Sequence, residues 1–210
     1  MSVTQTVFVL DDDEAVRDSL GALLESCGLH FRSYASGETF LAELDAGFAG
    51  CVVLDVRMPG LSGLELLEQL AAMKTPLPVI IVTGHGDLPM AVKAMKAGAV
   101  DFIEKPFDDE SILESIHVAL ARGAKLQAET ASAQVVEANV KRLTARERQV
   151  LEQVVQGHPN KVIAYNLSIS PRTVEIHRAR VIEKLQARNL SHLVRMAITA
   201  GIIGAGNETL

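Results

Sequence analysis

The sequence predicts an α/β fold, a doubly wound parallel sheet of five strands, followed by a small all-α domain. Five short apolar segments, TVFVLD, LHFRSY, CVVLDV, PVIIVT and AVDFIEK, alternate with amphipathic segments in the first part of the chain. This alternation is typical of parallel βα units. The strand segments are apolar almost throughout, as expected for a sheet that helices cover on both faces.

The segments between the strands have the spacing and the end signals of helices. In AVRDSLGALLESCG, Leu20 and Leu24 recur at helical spacing and Gly28 ends the run. The segment SGLELLEQLAAM repeats the pattern. LPMAVKAMKAGA has Pro89 near its start and Gly98 near its end, an asymmetry typical of helices. We therefore expect about five helices around the sheet.

The rest of the chain has helical patterns only. GAKLQAETASAQVVEANVKR lacks proline, which favours a helical linker that continues the last helix of the sheet domain and can break at Gly123. In LTARERQVLEQVVQG, Thr144 and Glu147 have capping-box spacing. NKVIAYNL is a short helix, and SPRTVEIHRARVIEKLQ is a longer one with Ser170 as N-cap and Pro171 at its first position. NLSHLVRMAITAG is the last helix.

Charge is distributed unevenly along the chain. The whole chain has a net charge of −6, but residues 1–140 hold 9 basic and 21 acidic residues, whereas residues 141–210 hold 11 basic and 5 acidic residues. Net charges of −12 and +6 indicate an acidic module joined to one that binds a polyanion. We expect three parts: the sheet domain at 1–122, the helical linker at 123–142 and the all-α domain at 143–210.

Composition also indicates the compartment. Cys27 and Cys51 lack metal-site spacing, so free thiols in a reducing compartment are expected. The N-terminus has no signal-peptide pattern, and apolar runs such as PVIIVTG are far shorter than a membrane span. We therefore expect a cytoplasmic protein with no membrane partner.

Polar side chains follow four of the five predicted strands. Asp11 and Asp12 follow the first, Asp55 ends the third, Thr83 ends the fourth and Lys105 follows the fifth. In doubly wound sheets, ligands bind outside the carboxyl ends of the strands. Three carboxylates together select a hard divalent cation such as Mg²⁺. One of them can attack phosphorus to form an acyl phosphate, while the cation and the lysine offset the phosphoryl charge.

The same residues carry a family resemblance. VLDDDE, VVLDVRMPGLSGLELL, IIVTGHGD and AVDFIEKPF resemble the receiver domain of two-component response regulators, a flavodoxin-like fold, over roughly the first 122 residues. The resemblance implies a cis Lys105–Pro106 bond and a protein that takes up phosphate without being a multiple-turnover enzyme. It implies the following roles: Asp55 as phosphoryl acceptor; Asp11, Asp12, Asp55 and the carbonyl of Arg57 as Mg²⁺ ligands; Thr83 and Lys105 as phosphoryl contacts; and Phe102 as the switch aromatic.

The acidic run DDDE divides between two roles. Asp11 and Asp12 end a strand at the predicted metal site, where a cation offsets their repulsion. Asp13 and Glu14 begin the first helix, whose positive end favours acidic side chains without a metal.

Two short helices joined by a tight turn in a basic segment predict a helix-turn-helix. On the second of these helices, Val174, His177, Val181 and Leu185 share the face that must be buried. Ile176 and Ala179 on the opposite face suit thymine methyl groups, and Glu175 can accept from a cytosine amine. The predicted DNA-binding residues are Lys161, Arg172, Thr173, Glu175, Ile176, Arg178, Ala179 and Arg180, with Lys161 and the three arginines as phosphate contacts.

This second module resembles the LuxR/FixJ/NarL-type DNA-binding domain in LTARERQVL, in GHPNKVIAYNLSISPRTVEIHRARVIEKL and in its closing helix. Pro159 departs from the pattern, where a small polar residue is expected before the asparagine. In the first module, GHGDLPMAVKAMKAGAVDFIEKPF resembles the FixJ type.

Three functional hypotheses follow. The first is a transcription factor that a sensor histidine kinase phosphorylates on Asp55, and that then dimerises and binds promoter DNA. FixJ-type proteins are mostly activators, which implies contact with RNA polymerase. The second is a phosphatase with an aspartyl nucleophile, but DVRMP lacks the second acid two residues on, and the helix-turn-helix stays unexplained. The third is a regulator that binds DNA without phosphorylation. In the first hypothesis, the dimer face includes Val92, Lys96, Asp101 and Glu104.

Overall fold

The computed structural model describes residues 4–45, 47–84 and 88–202. The chain divides into two units between Ala128 and Glu129. Residues 85–87 of the GHGD motif and residues 203–210 of the predicted all-α domain lie outside the described residues. Within the described ranges, no helix combines the length and the apolar character needed to span a membrane.

Strands and helices alternate in the first unit, and the second unit is helical. The elements are β1 (Thr6–Leu10), α1 (Glu14–Ser26), β2 (His30–Tyr34), α2 (Gly37–Glu43), β3 (Gly50–Asp55), α3 (Gly63–Ala72), β4 (Val79–Thr83), α4 (Leu88–Lys96), β5 (Asp101–Glu104), α5 (Asp109–Lys141), α6 (Ala145–Val155), α7 (Asn160–Leu167), α8 (Pro171–Leu185) and α9 (Leu190–Thr199).

The five strands form one parallel sheet in the order β2-β1-β3-β4-β5. This confirms the fold class predicted from the sequence. The chain runs from β1 to β2 on one side and returns to β3 on the other side of β1, so the direction of winding changes between β1 and β3. In open parallel sheets, such a switch point opens a crevice at the carboxyl ends of the two strands.

Alternate residues of each strand pack on opposite faces of the sheet. On one face, Phe8 packs with Phe40 of α2 and Leu66 of α3 in one buried cluster. On the other face, Val9 lies in a second cluster with Leu24 of α1 and Ile116 of α5. At β1, β3 and β4 both faces of the sheet are therefore buried, which explains why these strand sequences are apolar rather than alternating. The edge strand β2 is mostly exposed and more polar.

Helix α5 runs through Gly123 without a break. The predicted weak point is a site of close packing instead, because a Cβ at Gly123 would overlap the carbonyl oxygen of Gly50 at the start of β3. Glycine here lets the helix approach the strand. The C-terminal end of α5 belongs to the second unit, where Val136 and Val140 are buried. The sequence predicts that these last turns belong to a linker. In the structure they are part of the hydrophobic core of the second unit.

The second unit packs α6 to α9 around Val150, Val174 and Leu193. Its helix ends agree with the sequence signals. Thr144 and Glu147 form a capping box at α6, and the Ser170 side chain caps α8, which begins at Pro171. Pro159 occupies the N-cap position of α7 without a side-chain hydrogen bond, and its carbonyl accepts from the N–H groups of Val162 and Ile163.

Candidate functional site

The parallel sheet brings the carboxyl ends of its strands to one edge. Asp11 follows β1, Asp55 ends β3, Thr83 ends β4 and Lys105 follows β5, as the sequence predicts. Asp11, Asp55 and Thr83 are buried, with exposures of 4%, 6% and 0%. Buried carboxylates require compensating charge or hydrogen bonds, so this edge is the candidate site.

Lys105 joins the two buried carboxylates. Its Nζ atom donates to Oδ2 of Asp11 at 2.5 Å and to Oδ1 of Asp55 at 3.0 Å. The remaining oxygens accept backbone N–H groups, Asp11 Oδ1 from Asp13 at 3.0 Å and Asp55 Oδ2 from Arg57 at 2.6 Å. Each of the four carboxylate oxygens thus accepts a hydrogen bond, and one ammonium group neutralises part of the charge of both acids.

Burial and the ion pairs shift the pKa values of Asp55 and Lys105. Loss of hydration raises the pKa of Asp55, and the hydrogen bond and charge of Lys105 oppose that rise. Burial alone would lower the pKa of Lys105, but its hydrogen bonds to Asp11 and Asp55 raise it overall. Lys105 therefore stays protonated, and Asp55 is a less acidic carboxyl than an exposed aspartate.

The predicted helix start within the acidic run after β1 is confirmed. Asp12 is exposed, whereas the side chain of Asp13 caps α1 by accepting from the N–H of Ala15 at 2.9 Å. Glu14 is the first residue of α1. The Arg17 guanidinium donates to the backbone carbonyls of Asp11 at 2.8 Å and of Asp12 at 3.0 Å. These bonds stabilise the segment between β1 and α1. No local sequence pattern indicates this role of Arg17.

The donor set suits a hard cation by its chemistry, since three aspartates at this edge offer oxygen ligands. Among the described residues, however, no three Asp, Glu, His or Cys side chains are grouped in a way that could hold a metal ion. The ammonium group of Lys105 contacts Asp11 and Asp55 instead. A divalent cation at this site would have to share the two carboxylates with Lys105.

The residues expected to respond to phosphate lie near this edge. The carbonyl of Thr83 accepts from the N–H of Lys105 at 2.8 Å, which links the ends of β4 and β5. Phe102 is partly buried and packs against the cluster that contains Phe8. The Lys105–Pro106 peptide bond is cis, as the resemblance implied.

Three of the four residues of the predicted dimer face are exposed, namely Val92, Lys96 and Glu104. Asp101 differs, because it is partly buried. One of its oxygens accepts from the N–H of Phe102 at 2.8 Å, and the other accepts from the hydroxyl of Ser115 on α5. Within the first unit, Asp101 therefore has an internal role that the sequence did not indicate.

The second helix of the predicted helix-turn-helix, α8, has the expected two faces. Val174, Val181 and Leu185 are buried, and Ile176 on the opposite face is 46% exposed. Of the other predicted DNA contacts, those that are exposed are Lys161, Arg172, Glu175, Ala179 and Arg180. The exposed face of α8 therefore combines basic side chains with one apolar side chain, Ile176.

The residues Thr173, His177 and Arg178 of α8 are partly buried. Thr173 is partly buried, and its N–H donates to the hydroxyl of Ser170 at 3.0 Å. The Arg178 guanidinium donates to the side-chain oxygen of Asn160 at 2.6 Å, which joins α8 to α7. His177 is partly buried, and its Nδ1 atom has no hydrogen-bond partner among the described residues.

Sequence reasoning missed a buried ion pair beneath these helices. Glu147 is 2% exposed, and its Oε2 atom accepts from Nζ of Lys184 at 2.6 Å and from the N–H of Thr144 at 2.8 Å. The capping box already accounts for a glutamate at position 147, and Lys184 lies 37 positions further along the chain, so no local pattern indicates the pair. The pair fixes the start of α6 to the last turns of α8.

Comparisons with known proteins agree with this arrangement. Residues 7–117 match the response regulator receiver domain, and residues 141–197 match the bacterial regulatory proteins of the luxR family. The transcriptional regulatory protein FixJ of Azorhizobium caulinodans is 51% identical over 206 residues, which cover 97% of this chain and 96% of that protein. The response regulator protein TodT of Pseudomonas putida is 40% identical over 190 residues, covering 90% and 84%.

Solved structures give the same result. The response regulator StyR has a TM-score of 0.79 at 42% identity, covering 92% of this chain and 98% of that chain. Full-length FixJ from B. japonicum has a TM-score of 0.57 at 47% identity, covering 97% and 100%.

A receiver fold with this acidic site, joined to a LuxR-type helix-turn-helix domain, defines a two-component response regulator. More narrowly, the chain belongs to the FixJ family of response regulators. It is a transcription factor, and its combination of a receiver domain with a DNA-binding domain is consistent with regulation by phosphorylation. The receiver domain implies a sensor kinase as partner, and the LuxR-type domain implies binding to DNA.

Proposed function

We propose that Asp55 accepts a phosphoryl group from the phosphohistidine of a sensor histidine kinase. A carboxylate oxygen of Asp55 forms the new bond to phosphorus, and the bond from phosphorus to the histidine nitrogen breaks. The observation that supports this best is the contact of one lysine ammonium with both buried carboxylates. Lys105 is thus already positioned to offset the charge of the transferring group.

Asp11, Asp12, Asp55 and the carbonyl of Arg57 are the residues that would hold Mg²⁺. When bound, the cation would stabilise the negative charge that develops on the phosphoryl oxygens. In this proposal the protein promotes its own phosphorylation and does not turn over as an enzyme. The protein's own contribution is to bury Asp55, to orient it through the N–H of Arg57 and to supply the charge of Lys105.

The phosphoryl group adds a charge of about −1.5 to −2 next to Thr83 and Lys105. We propose that the Thr83 hydroxyl and Lys105 bind it and that Phe102 moves inward, which changes the surface formed by α4 and β5. The receiver then forms a homodimer through Val92, Lys96, Asp101 and Glu104.

The dimer places two LuxR-type domains on adjacent half-sites of promoter DNA. The exposed face of α8 supports this role, with Arg172, Glu175, Ile176, Ala179 and Arg180 available to the major groove, Thr173 and Arg178 at its border, and Lys161 on α7 near the phosphates. By analogy with its relatives we propose that bound dimers recruit RNA polymerase and activate transcription. Promoter binding would place the protein in the bacterial cytoplasm.

Genome-wide footprinting of the purified protein with and without acetyl phosphate tests this function. We expect protected sites only, or far more strongly, after phosphorylation. Equal protection in both conditions would favour a regulator that binds DNA independently of phosphate. Steady release of phosphate from small phosphoesters would favour a phosphatase instead.

A further inference from the structure

The loop that follows Asp55, residues 56–62, is attached to a different helix by one carboxylate. Oε1 of Glu38, in the first turn of α2, accepts from the backbone N–H of Leu61 at 2.7 Å, across 23 positions of sequence. We call residues 56–62 the acceptor loop. Gly60 lies next to this contact with φ of +78°, and a Cβ at that position would overlap Oε1 of Glu38. Gly60 is thus a position where the backbone conformation favours glycine and where a side chain would also meet the Glu38 carboxylate.

The other hydrogen bonds of the acceptor loop join it to its own ends. The N–H of Arg57 donates to Asp55, and the N–H of Gly63 donates to the carbonyl of Val56 at 3.0 Å. Ser62 caps α3 through the N–H of Glu65. These bonds close the loop but do not join it to α2. Apolar packing does so in part, since Met58 is buried in the cluster that contains Phe40 of α2, and Leu61 packs against that cluster. The contact of Glu38 with Leu61 adds a hydrogen bond from the loop to α2.

We propose that Glu38 is a positioning residue for the phosphorylation site, acting through Leu61 to hold the acceptor loop and with it the backbone of Arg57. The proposal rests on the proposed function, in which the carbonyl of Arg57 is a ligand of Mg²⁺ beside Asp55. Glu38 is exposed at the surface. None of the hydrogen bonds described above joins it to Asp11 or Asp55.

The charge state of Glu38 suits this role. The hydrogen bonds that its carboxylate accepts from its own backbone N–H and from that of Leu61 lower the pKa of Glu38. The side chain is therefore a charged acceptor at neutral pH, and hydrogen bonds to charged acceptors are stronger than those to neutral ones. An amide at the same position would keep an oxygen acceptor, so Glu38→Gln should preserve most of the contact.

The test uses the full chain and three variants, Glu38→Ala, Glu38→Gln and the control Glu43→Ala. Glu43 lies on the same helix and pairs with Arg32 instead of with the acceptor loop. Amide hydrogen exchange at Leu61 reports the contact itself, and a calorimetric titration with MgCl₂ reports its effect on the site. The Mg²⁺ concentration for half-maximal labelling by acetyl phosphate is the third measurement.

In Glu38→Ala we expect faster exchange at Leu61 and Mg²⁺ binding that is weaker by at least about threefold. The upper limit is about tenfold, the value of one whole hydrogen bond, because the bond to Leu61 also forms without Mg²⁺. Labelling should recover at saturating Mg²⁺. Glu38→Gln and Glu43→Ala should stay within about twofold of the wild type. Unchanged Mg²⁺ affinity in Glu38→Ala, or an equal loss in Glu43→Ala, would overturn the proposal.

Gly60→Ala supplies an independent variant, alone and combined with Glu38→Ala. Because its Cβ would displace the Glu38 carboxylate, we expect the two substitutions to be non-additive, with a smaller effect of Gly60→Ala when Glu38 is absent. Strict additivity would contradict the proposal. A wild-type chain that takes up no phosphate would refute the proposed function, while the exchange and Mg²⁺ titrations would still decide the role of Glu38.

Discussion

Lys105 and Asp55 form an ion pair of 3.0 Å, although they lie 50 positions apart in the chain. The same ammonium group also contacts Asp11, so Lys105 pairs with two buried carboxylates, one that follows β1 and one that ends β3. Any event that changes the charge of Asp55 must therefore change the position or the partners of Lys105. In the proposed function, this pairing transmits the phosphorylation of Asp55 to Lys105.

We expect Lys105→Met to lower the free energy of unfolding by about 1–3 kcal/mol at pH 7, because it leaves buried acids without a charged partner. Burial already raises the pKa of Asp55, so protonation of Asp55 relieves this penalty and the loss should shrink as the pH falls to 5. Urea denaturation at both pH values measures the difference. Lys93→Met, which breaks only the exposed pair with Glu68, is the control. A loss that is equal at both pH values would contradict this account.

Asp12→Ala and Asp13→Ala separate the two halves of the acidic run. Asp12→Ala should abolish Mg²⁺-dependent labelling by acetyl phosphate, since it removes a proposed ligand. Asp13→Ala should retain most labelling and instead lower stability by about 1 kcal/mol, because Asp13 caps α1. Equal loss of labelling in the two variants would show that the division is wrong.

Much of this site follows from local sequence signals, because the ends of parallel strands meet at one edge and each strand is short and apolar. That rule places Asp11, Asp55, Thr83 and Lys105 together without any distance information. The same rule does not predict which of these side chains form hydrogen bonds or ion pairs with each other. The pairing of Lys105 with two acids depends on side-chain reach across the switch point, which no local pattern encodes.

Contacts between distant segments were missed for the same reason. Glu147 has a sufficient local explanation as part of a capping box, so its bond to Lys184 gives no separate signal. Gly123 resembles a helix breaker in sequence, yet it is required by a close approach to Gly50. Arg178 is indistinguishable by type from its neighbouring arginines, and only the structure shows its bond to Asn160.

We expect Lys184→Met to destabilise the DNA-binding domain by about 1–3 kcal/mol at pH 7, because the buried Glu147 carboxylate loses its charged partner. The hydrogen bond from Lys184 lowers the pKa of Glu147. A lowered pKa gives stability that is present above the unfolded-state value of about 4.3 and is lost as the pH falls through the folded-state value. The gap between variant and wild type should therefore close below about pH 4.

Lys141→Met is the matched control for Lys184→Met. It removes a lysine from an exposed i,i+4 pair with Glu137, so its cost should be below about 0.5 kcal/mol. Thermal unfolding of the full chain followed by calorimetry measures both variants. Similar costs for Lys141→Met and Lys184→Met would contradict the assignment of the buried pair.

On α8, Ile176→Ala should weaken binding to the target promoter by about 1 kcal/mol while leaving non-specific binding unchanged, because apolar contacts read thymine methyl groups. Arg180→Gln should weaken binding to all sequences alike and reduce the salt slope by about 1. Ile182→Ala, another exposed isoleucine of the same helix, should change neither. Fluorescence anisotropy of the phosphorylated protein with target and scrambled DNA distinguishes these outcomes. An equal loss on both DNAs for Ile176→Ala would remove it from base recognition.

We propose above that phosphorylation of Asp55 controls dimerisation, the step that precedes binding to adjacent half-sites of DNA. The most direct test compares the wild-type chain with Asp55→Asn, each incubated with acetyl phosphate and Mg²⁺, by intact-protein mass spectrometry and light scattering of the same samples. We expect the wild type to gain one phosphoryl group and to become a dimer, whereas Asp55→Asn should gain none and keep its original oligomeric state. Dimerisation of Asp55→Asn to the same extent under these conditions would contradict this proposal.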